Sequence, residues 1–187
     1  MSTKREQILS AAQRSLNIDP SASMTVVAES AGVSRATVHR HFESRESLLV
    51  ELGTRSLDRW SARMNEVDLE EVAATGDAGR IRAALEALVG GYVDDSDDFG
   101  FALTDHVILV NADLNQRTER LAEREATLFG AAQACGVLRS DLPPRWFGHA
   151  VYGLLVAGRE ALRAGDVARK DVPHIVLSSF MNGVTPR

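Results

Sequence analysis

The chain has one cysteine, Cys135, in 187 residues, which excludes an intrachain disulfide and any multi-cysteine metal site. Between Ala134 and Gly136 it reads as a small buried residue. No apolar run reaches the length of a membrane span, and the opening MSTKREQILSAAQRSL has none long enough for a secretory signal, so a cytoplasmic protein is expected. No Val/Ile/Thr stretch alternates with period two between hairpin turns, and nothing recurs at a solenoid period, which leaves an all-α protein. Catalytic chemistry lacks its parts as well. No Ser or Cys stands in a nucleophile motif, and Asp105-His106 and His149 have no such partner. The acidic run Asp94-Asp95-Ser96-Asp97-Asp98 has His106 where a calcium loop begun at Asp95 would close with Glu, so it reads as a solvated connection. No catalytic residue, metal or cofactor is expected.

Excess positive charge is also missing: the net charge is −5. Residues 1–55 carry Lys4, Arg5, Arg14, Arg35, Arg40, Arg45 and Arg55 against six carboxylates, or +1, and the remainder is 14 minus 20, or −6. Binding nucleic acid by bulk charge is excluded. Any DNA contact must rest on a few well-placed cations, with non-specific binding weak and sensitive to salt.

What is present is concentrated in residues 25–45, TVVAESAGVSRATVHRHFESR. They read as two helices joined by a tight turn at Gly32, where a positive φ is cheap. Val27, Ala31, Val33, Val38 and Phe42 supply the buried side, and Ala28 is small enough for the helices to cross closely. The outward set, Ser34, Arg35, Ala36, Thr37, His39, Arg40 and His41, holds donors and small groups and no carboxylate. That face suits the major groove: guanidinium groups can bond a guanine edge, Thr and Ala can touch a thymine methyl, and hydroxyls and imidazoles can bond phosphate. Thr25 and Ser34 stand where they can cap the two helices.

These residues resemble the tetracycline-repressor (TetR) family of transcriptional regulators. The family pattern runs from a Thr opening the second helix, through Gly-Val-Ser, to Tyr-x-His-Phe and a Ser-Lys that begins a long fourth helix. Thr25, Gly32-Val33-Ser34, His39-Arg40-His41-Phe42 and Ser44-Arg45 stand at those places, with His39 for the Tyr and Arg45 for the Lys. The likeness is specific over residues 5–55 and architectural beyond. It implies a three-helix helix-turn-helix (homeodomain-like) DNA-binding domain at 1–50, and a larger helical effector-binding and dimerisation domain at 51–187. The implied protein is a homodimeric repressor released by a small molecule from an inverted-repeat operator in double-stranded DNA. Its DNA contacts would come from Thr25, Ser34, Arg35, Ala36, Thr37, His39, Arg40, His41 and Arg45. A ligand-independent regulator and a small helical enzyme remain as alternatives.

Periodicity extends the helical reading along the chain. Ile8, Leu9, Ala12 and Leu16 stripe a first helix over 3–17, ended by Asp19-Pro20. Ser44 opens a long helix through Leu48, Leu49, Leu52, Leu57 and Trp60, with Ser-x-x-Ser lacking the Glu of a capping box. AATGDAG, after Val72, is the expected boundary. Helices are then expected over 79–94, 99–112 and 114–135. The last two, 143–164 and 171–183, are apolar round more of their circumference than one core face needs, which calls for a partner on a second side. Val151, Leu154, Leu155, Gly158, Leu162, Val176 and Phe180 are the expected dimer interface. Tyr92, Phe99, Phe101, His106, Phe129 and Trp146 are the candidates to line an effector pocket.

Overall fold

A computed structural model describes residues 3–185, and among them there is no strand. The helices in chain order are α1 (Lys4–Ile18), α2 (Met24–Ser30), α3 (Arg35–His41), α4 (Arg45–Glu66), α5 (Leu69–Thr75), α6 (Ala78–Phe99), α7 (His106–Val110), α8 (Ala112–Ala134), α9 (Pro144–Ala164) and α10 (Val172–Val184), with 3-10 turns at Gly100–Leu103 and Arg169–Asp171. The chain divides into two compact units, Met1–Leu57 with Asp97–Asn115, and Asp58–Ser96 with Gln116–Arg187.

The first unit is built on the α1 stripe. Ile8, Leu9, Ala12 and Leu16 are buried, as their spacing predicts, against Val27, Val38, Phe42, Leu48, Leu49, Leu52, Phe101 and Ile108. Each large side chain so buried contributes roughly 1.5–3 kcal/mol of transfer free energy. Thr3 caps α1 by accepting the Glu6 N–H at 3.2 Å, and Asp19 ends the region with an Asx turn onto Ser21. Gly53 lets α4 approach its neighbours closely: a Cβ there would lie 2.8 Å from Leu114 Cδ1 and 3.2 Å from Ile108 Cγ2. At the start of α4 the Ser47 N–H donates to Ser44 Oγ at 3.0 Å and the Ser44 N–H to Ser47 Oγ at 3.2 Å. Ser47 thus completes a reciprocal capping box although it stands where the box usually has Glu.

Two other expectations are corrected in this unit. A single helix over 99–112 does not form. A 3-10 turn is followed by α7, because the Asp105 carboxylate takes the Val107 and Ile108 N–H groups and starts a new helix. The acidic run is helix rather than a connection, since α6 continues through it to Phe99, with Asp94, Asp97 and Asp98 exposed as expected. The Asn17 amide donates to the Asp97 and Asp98 carbonyls at 2.8 and 2.6 Å, and its oxygen accepts the Phe101 N–H, so one side chain satisfies backbone groups at the helix end.

In the second unit, AATGDAG is a short helix-to-helix link rather than a boundary: α5 ends in a left-handed Gly76 and α6 starts at Ala78. Asp95 is held by three guanidinium nitrogens, Arg59 Nε at 2.8 Å and Arg63 Nε and Nη2 at 2.9 Å, which ties α6 to α4. Leu69, Ile81, Leu85, Leu88, Leu128, Phe129 and Phe147 are buried here. α9 and α10 meet at Gly158, whose missing Cβ would lie 3.2 Å from Val176 Cγ2.

Candidate nucleic-acid interface

The corner between α2 and α3 follows from backbone accounting. α2 ends at Ala31 in a Schellman motif: the Val33 N–H bonds the Ala28 carbonyl at 3.0 Å, and the Gly32 N–H bonds the Glu29 carbonyl at 3.1 Å. The motif needs a left-handed residue after the helix. Gly32, at φ +62°, supplies it without the cost a side chain would add. The cap of α2 is Ser23, which accepts the Val26 N–H at 3.3 Å; Thr25 lies inside the helix, so its expected capping role is corrected. Ser34 caps α3 as expected, accepting the Thr37 N–H at 3.1 Å.

α3 buries Val38 and directs Arg35, Ala36, His39 and Arg40 to solvent, with Thr37 and His41 half-buried. Arg35 Nε donates to His39 Nε2 at 3.4 Å, one turn along the same face. That bond holds the two side chains side by side. The last turn carries His39, Arg40 and His41, where the helix dipole favours positive charge. Thr25 and Ser34 are exposed.

Arg5, Arg55 and Arg45 are committed elsewhere. Arg5 pairs with Glu51 at 2.9 Å and stacks over Phe42 with its guanidinium carbon 4.9 Å from the ring centre. Arg55 bonds both oxygens of Glu6, at 2.8 and 2.7 Å. These hydrogen bonds hold the Glu6 and Glu51 carboxyls below their ordinary range. Arg45, expected at phosphate, donates to the Pro20 carbonyl at 2.6 Å and the Ala22 carbonyl at 3.1 Å. Its planar fork fastens the α1–α2 loop to the start of α4. Arg35 and Arg40 are left as the exposed guanidinium groups of α3.

The pocket candidates fall into separate units. Phe99, Phe101 and His106 lie in the first, where Phe101 is core and His106 is exposed. Tyr92, Phe129 and Trp146 lie in the second. Phe129 packs on Phe147 with ring centres 5.7 Å apart, whereas Trp146 is 53% exposed. Tyr92 is buried and donates its hydroxyl to Glu125 at 2.7 Å, while the Trp60 indole N–H reaches the Tyr92 oxygen at 2.8 Å. Burial raises the Glu125 carboxyl to about 7, against the opposing pull of these two donors, and Tyr92 is raised by burial and then by the Glu125 charge. Sequence reasoning did not single out Glu125 or bring Trp60 to Tyr92. The signal for Glu125 was its position, four residues after Leu121 and three before Leu128, on the apolar stripe of α8.

Of the expected dimer residues, Val151, Leu155, Val176 and Phe180 are buried within the chain, and Leu154, Gly158 and Leu162 are half-buried. The outward side of α9 and α10 instead carries Trp146, Tyr152 and Ile175, the last two 43% and 40% exposed, with Gly153 and Ala157 between. Among the described residues no helix is long and apolar enough to cross a membrane.

Residues 8–52 match the family model for bacterial regulatory proteins of the tetR family. Along the whole chain there is similarity to the HTH-type transcriptional repressor LfrR of Mycolicibacterium smegmatis, 28% identical over 180 residues, covering 96% of this chain and 89% of that protein. The crystal structure of the TetR-like regulator LfrR from Mycobacterium smegmatis in complex with proflavine superimposes with a TM-score of 0.75 at 26% identity, covering 98% of this chain and 97% of the other. AibR, crystallised with isovaleryl coenzyme A and operator DNA, shares the fold at a TM-score of 0.72 and 15% identity, over 95% of this chain and 97% of that one.

Proposed function

Because the chain belongs to the tetracycline-repressor family of DNA-binding transcriptional regulators, we propose that it is a cytoplasmic homodimeric repressor, without enzymatic activity, that leaves an inverted-repeat operator when a small molecule binds. The observation that carries this reading is the exposed face of α3: Arg35, Ala36, His39 and Arg40, with no carboxylate between Ser34 and His41. Arg40 and Arg35 read base edges in the major groove, and the Ser34 and Thr25 hydroxyls bond phosphate. Residues 1–50 form the DNA-binding domain, and residues 51–187 take the effector and dimerise. The exposed Trp146, Tyr152 and Ile175, with Gly153 and Ala157 allowing close approach, are the dimer face on α9 and α10. A repressor similar over nearly its whole length has been crystallised with a small aromatic ligand, proflavine, which favours an effector over ligand-independent binding.

Selection of DNA fragments by the purified protein tests the reading. Two copies of α3 related by a two-fold axis select an inverted repeat whose half-site centres lie about 34–36 Å apart, or a multiple of that. Recovery of single asymmetric half-sites alone would reject the dimeric repressor.

A further inference from the structure

The two exposed arginines of α3 differ in how they are held. Arg35 Nε donates to His39 Nε2 at 3.4 Å, and a separation of one turn puts both side chains on one face of the helix. Arg40 has no such partner among the described residues. Arg35 and His39 are both exposed, so their bond supports no part of the core. It does fix the direction of a long, otherwise free side chain on the face that carries no carboxylate.

The chemistry of the partner sets Arg35 apart. Elsewhere guanidinium groups are held by carboxylates: Arg5 by Glu51, Arg55 by Glu6, Arg63 by Asp95, Arg124 by Glu70 and Arg145 by Glu119. A carboxylate orients a guanidinium but offsets its charge, and at a DNA-facing position it would also repel phosphate. An imidazole nitrogen accepts the same hydrogen bond without a carboxylate's negative charge. The bond engages Nε, on the inner side of the fork, and leaves Nη1 and Nη2 pointing away from the helix. Those two nitrogens match a pair of acceptors such as guanine O6 and N7 in the major groove. Because rotamer freedom lost on binding weakens a contact, a neighbour that restricts Arg35 beforehand strengthens it.

We propose that His39 is a positioning residue for Arg35: it holds the guanidinium by Nε so that Nη1 and Nη2 meet a guanine edge end-on, and it thereby sets base preference at a base pair it does not touch. The inference rests on the reading of α3 as the helix that enters the major groove. It gives His39, expected as a DNA contact in its own right, a different part in recognition. Arg35 and His39 then act as one reading element, whereas Arg40 acts alone.

The test uses the full-length protein and the site it selects from random DNA, with affinity measured at fixed salt for that site and for versions changed at each base pair of the half-site. Arg35→Ala should abolish the preference for guanine at one base pair. His39→Ala should weaken the preference at that same base pair by roughly two- to tenfold per half-site and leave the other base pairs unchanged. The double variant should discriminate no worse than Arg35→Ala, since residue 39 then has nothing to hold. His39→Gln, whose amide oxygen can accept from Arg35 one turn away, should recover part of the loss. Circular dichroism checks that these exposed substitutions leave the helices intact. A change of preference at a different base pair would make His39 a base reader itself, and an equal loss on all sequences would make it a phosphate contact. Losses that simply multiply in the double variant would make the two residues independent. Each of these overturns the proposal and leaves the regulator standing, whereas wild-type protein that selects no double-stranded site rejects the DNA-binding reading and the proposal with it.

Discussion

Arg40 and Arg45 show how far one residue type can diverge in role within a few positions. Arg40 is exposed on α3, while Arg45 has two loop carbonyls as partners. Arg40→Ala should therefore cost roughly 1–3 kcal/mol on the preferred operator and relax base preference there. Competition binding against random DNA checks it; an equal loss on both would assign Arg40 to phosphate. A second residue-scale prediction concerns pH. The Glu125 carboxyl titrates near 7 when folded and at its ordinary 4.5 when unfolded, so between these values the folded state holds a proton that the unfolded chain has lost. Stability must then fall as pH rises from 4.5 towards 7 and level off above it, by a few kcal/mol at most. Glu6 and Glu51 are shifted the other way and lose their contribution below that range, which keeps the window clear. Melting temperatures at pH 5.5 and 8 should differ more in wild type than in Glu125→Gln. Identical differences would show that Glu125 ionises freely.

At the scale of the element, helix ends decide the outcome. Ser34→Ala removes the acceptor for the Thr37 N–H and should cost about 1 kcal/mol, and Ser23→Ala should cost a similar amount at α2. Thr25→Ala, inside α2, should cost well under that. Chemical denaturation of the three variants checks the ranking, and a Thr25 loss as large as Ser23's would return the cap to Thr25. The misplaced cap shows what was legible in the sequence. Periodicity located α1, α8, α9 and α10 within two residues, because their apolar stripes are long. It failed at 99–112, where apolar side chains run on but Asp105 captures two backbone N–H groups and restarts the helix. It failed at the acidic run, whose Asp95 reads as solvated until Arg59 and Arg63, more than thirty residues away, are brought to it. Caps and long-range ion pairs depend on single atoms, and hydropathy patterns do not carry them.

For the whole molecule the corner of α2 and α3 was legible because Gly32, Val38 and Phe42 must be where they are for two helices to cross. The interior of the second unit was not, since Glu125 lies among the many charged residues of α8. Val176 and Phe180, expected at the dimer interface, are buried within the chain, so the dimer face proposed above uses the outward side of the same two helices. Ala157→Arg, on the outward side of α9, should accordingly dissociate the dimer and with it tight operator binding, while leaving the protomer folded. Sedimentation at micromolar concentration with circular dichroism checks both halves. Val176→Arg should instead unfold the protomer, so a folded monomer from Val176→Arg together with an intact dimer from Ala157→Arg would move the interface back.

The clasp of Arg45 on the Pro20 and Ala22 carbonyls also bears on how position 45 is filled. Two acceptors on one loop suit a rigid fork, and a lysine's compact ammonium on a flexible stem holds them less well. In a saturation library sorted for folded protein in the absence of DNA, Arg should outrank Lys at position 45, and Lys should outrank Ala. Arg at position 45, where the resemblance implies Lys, then serves the architecture of the α1–α2 loop whether or not DNA is bound.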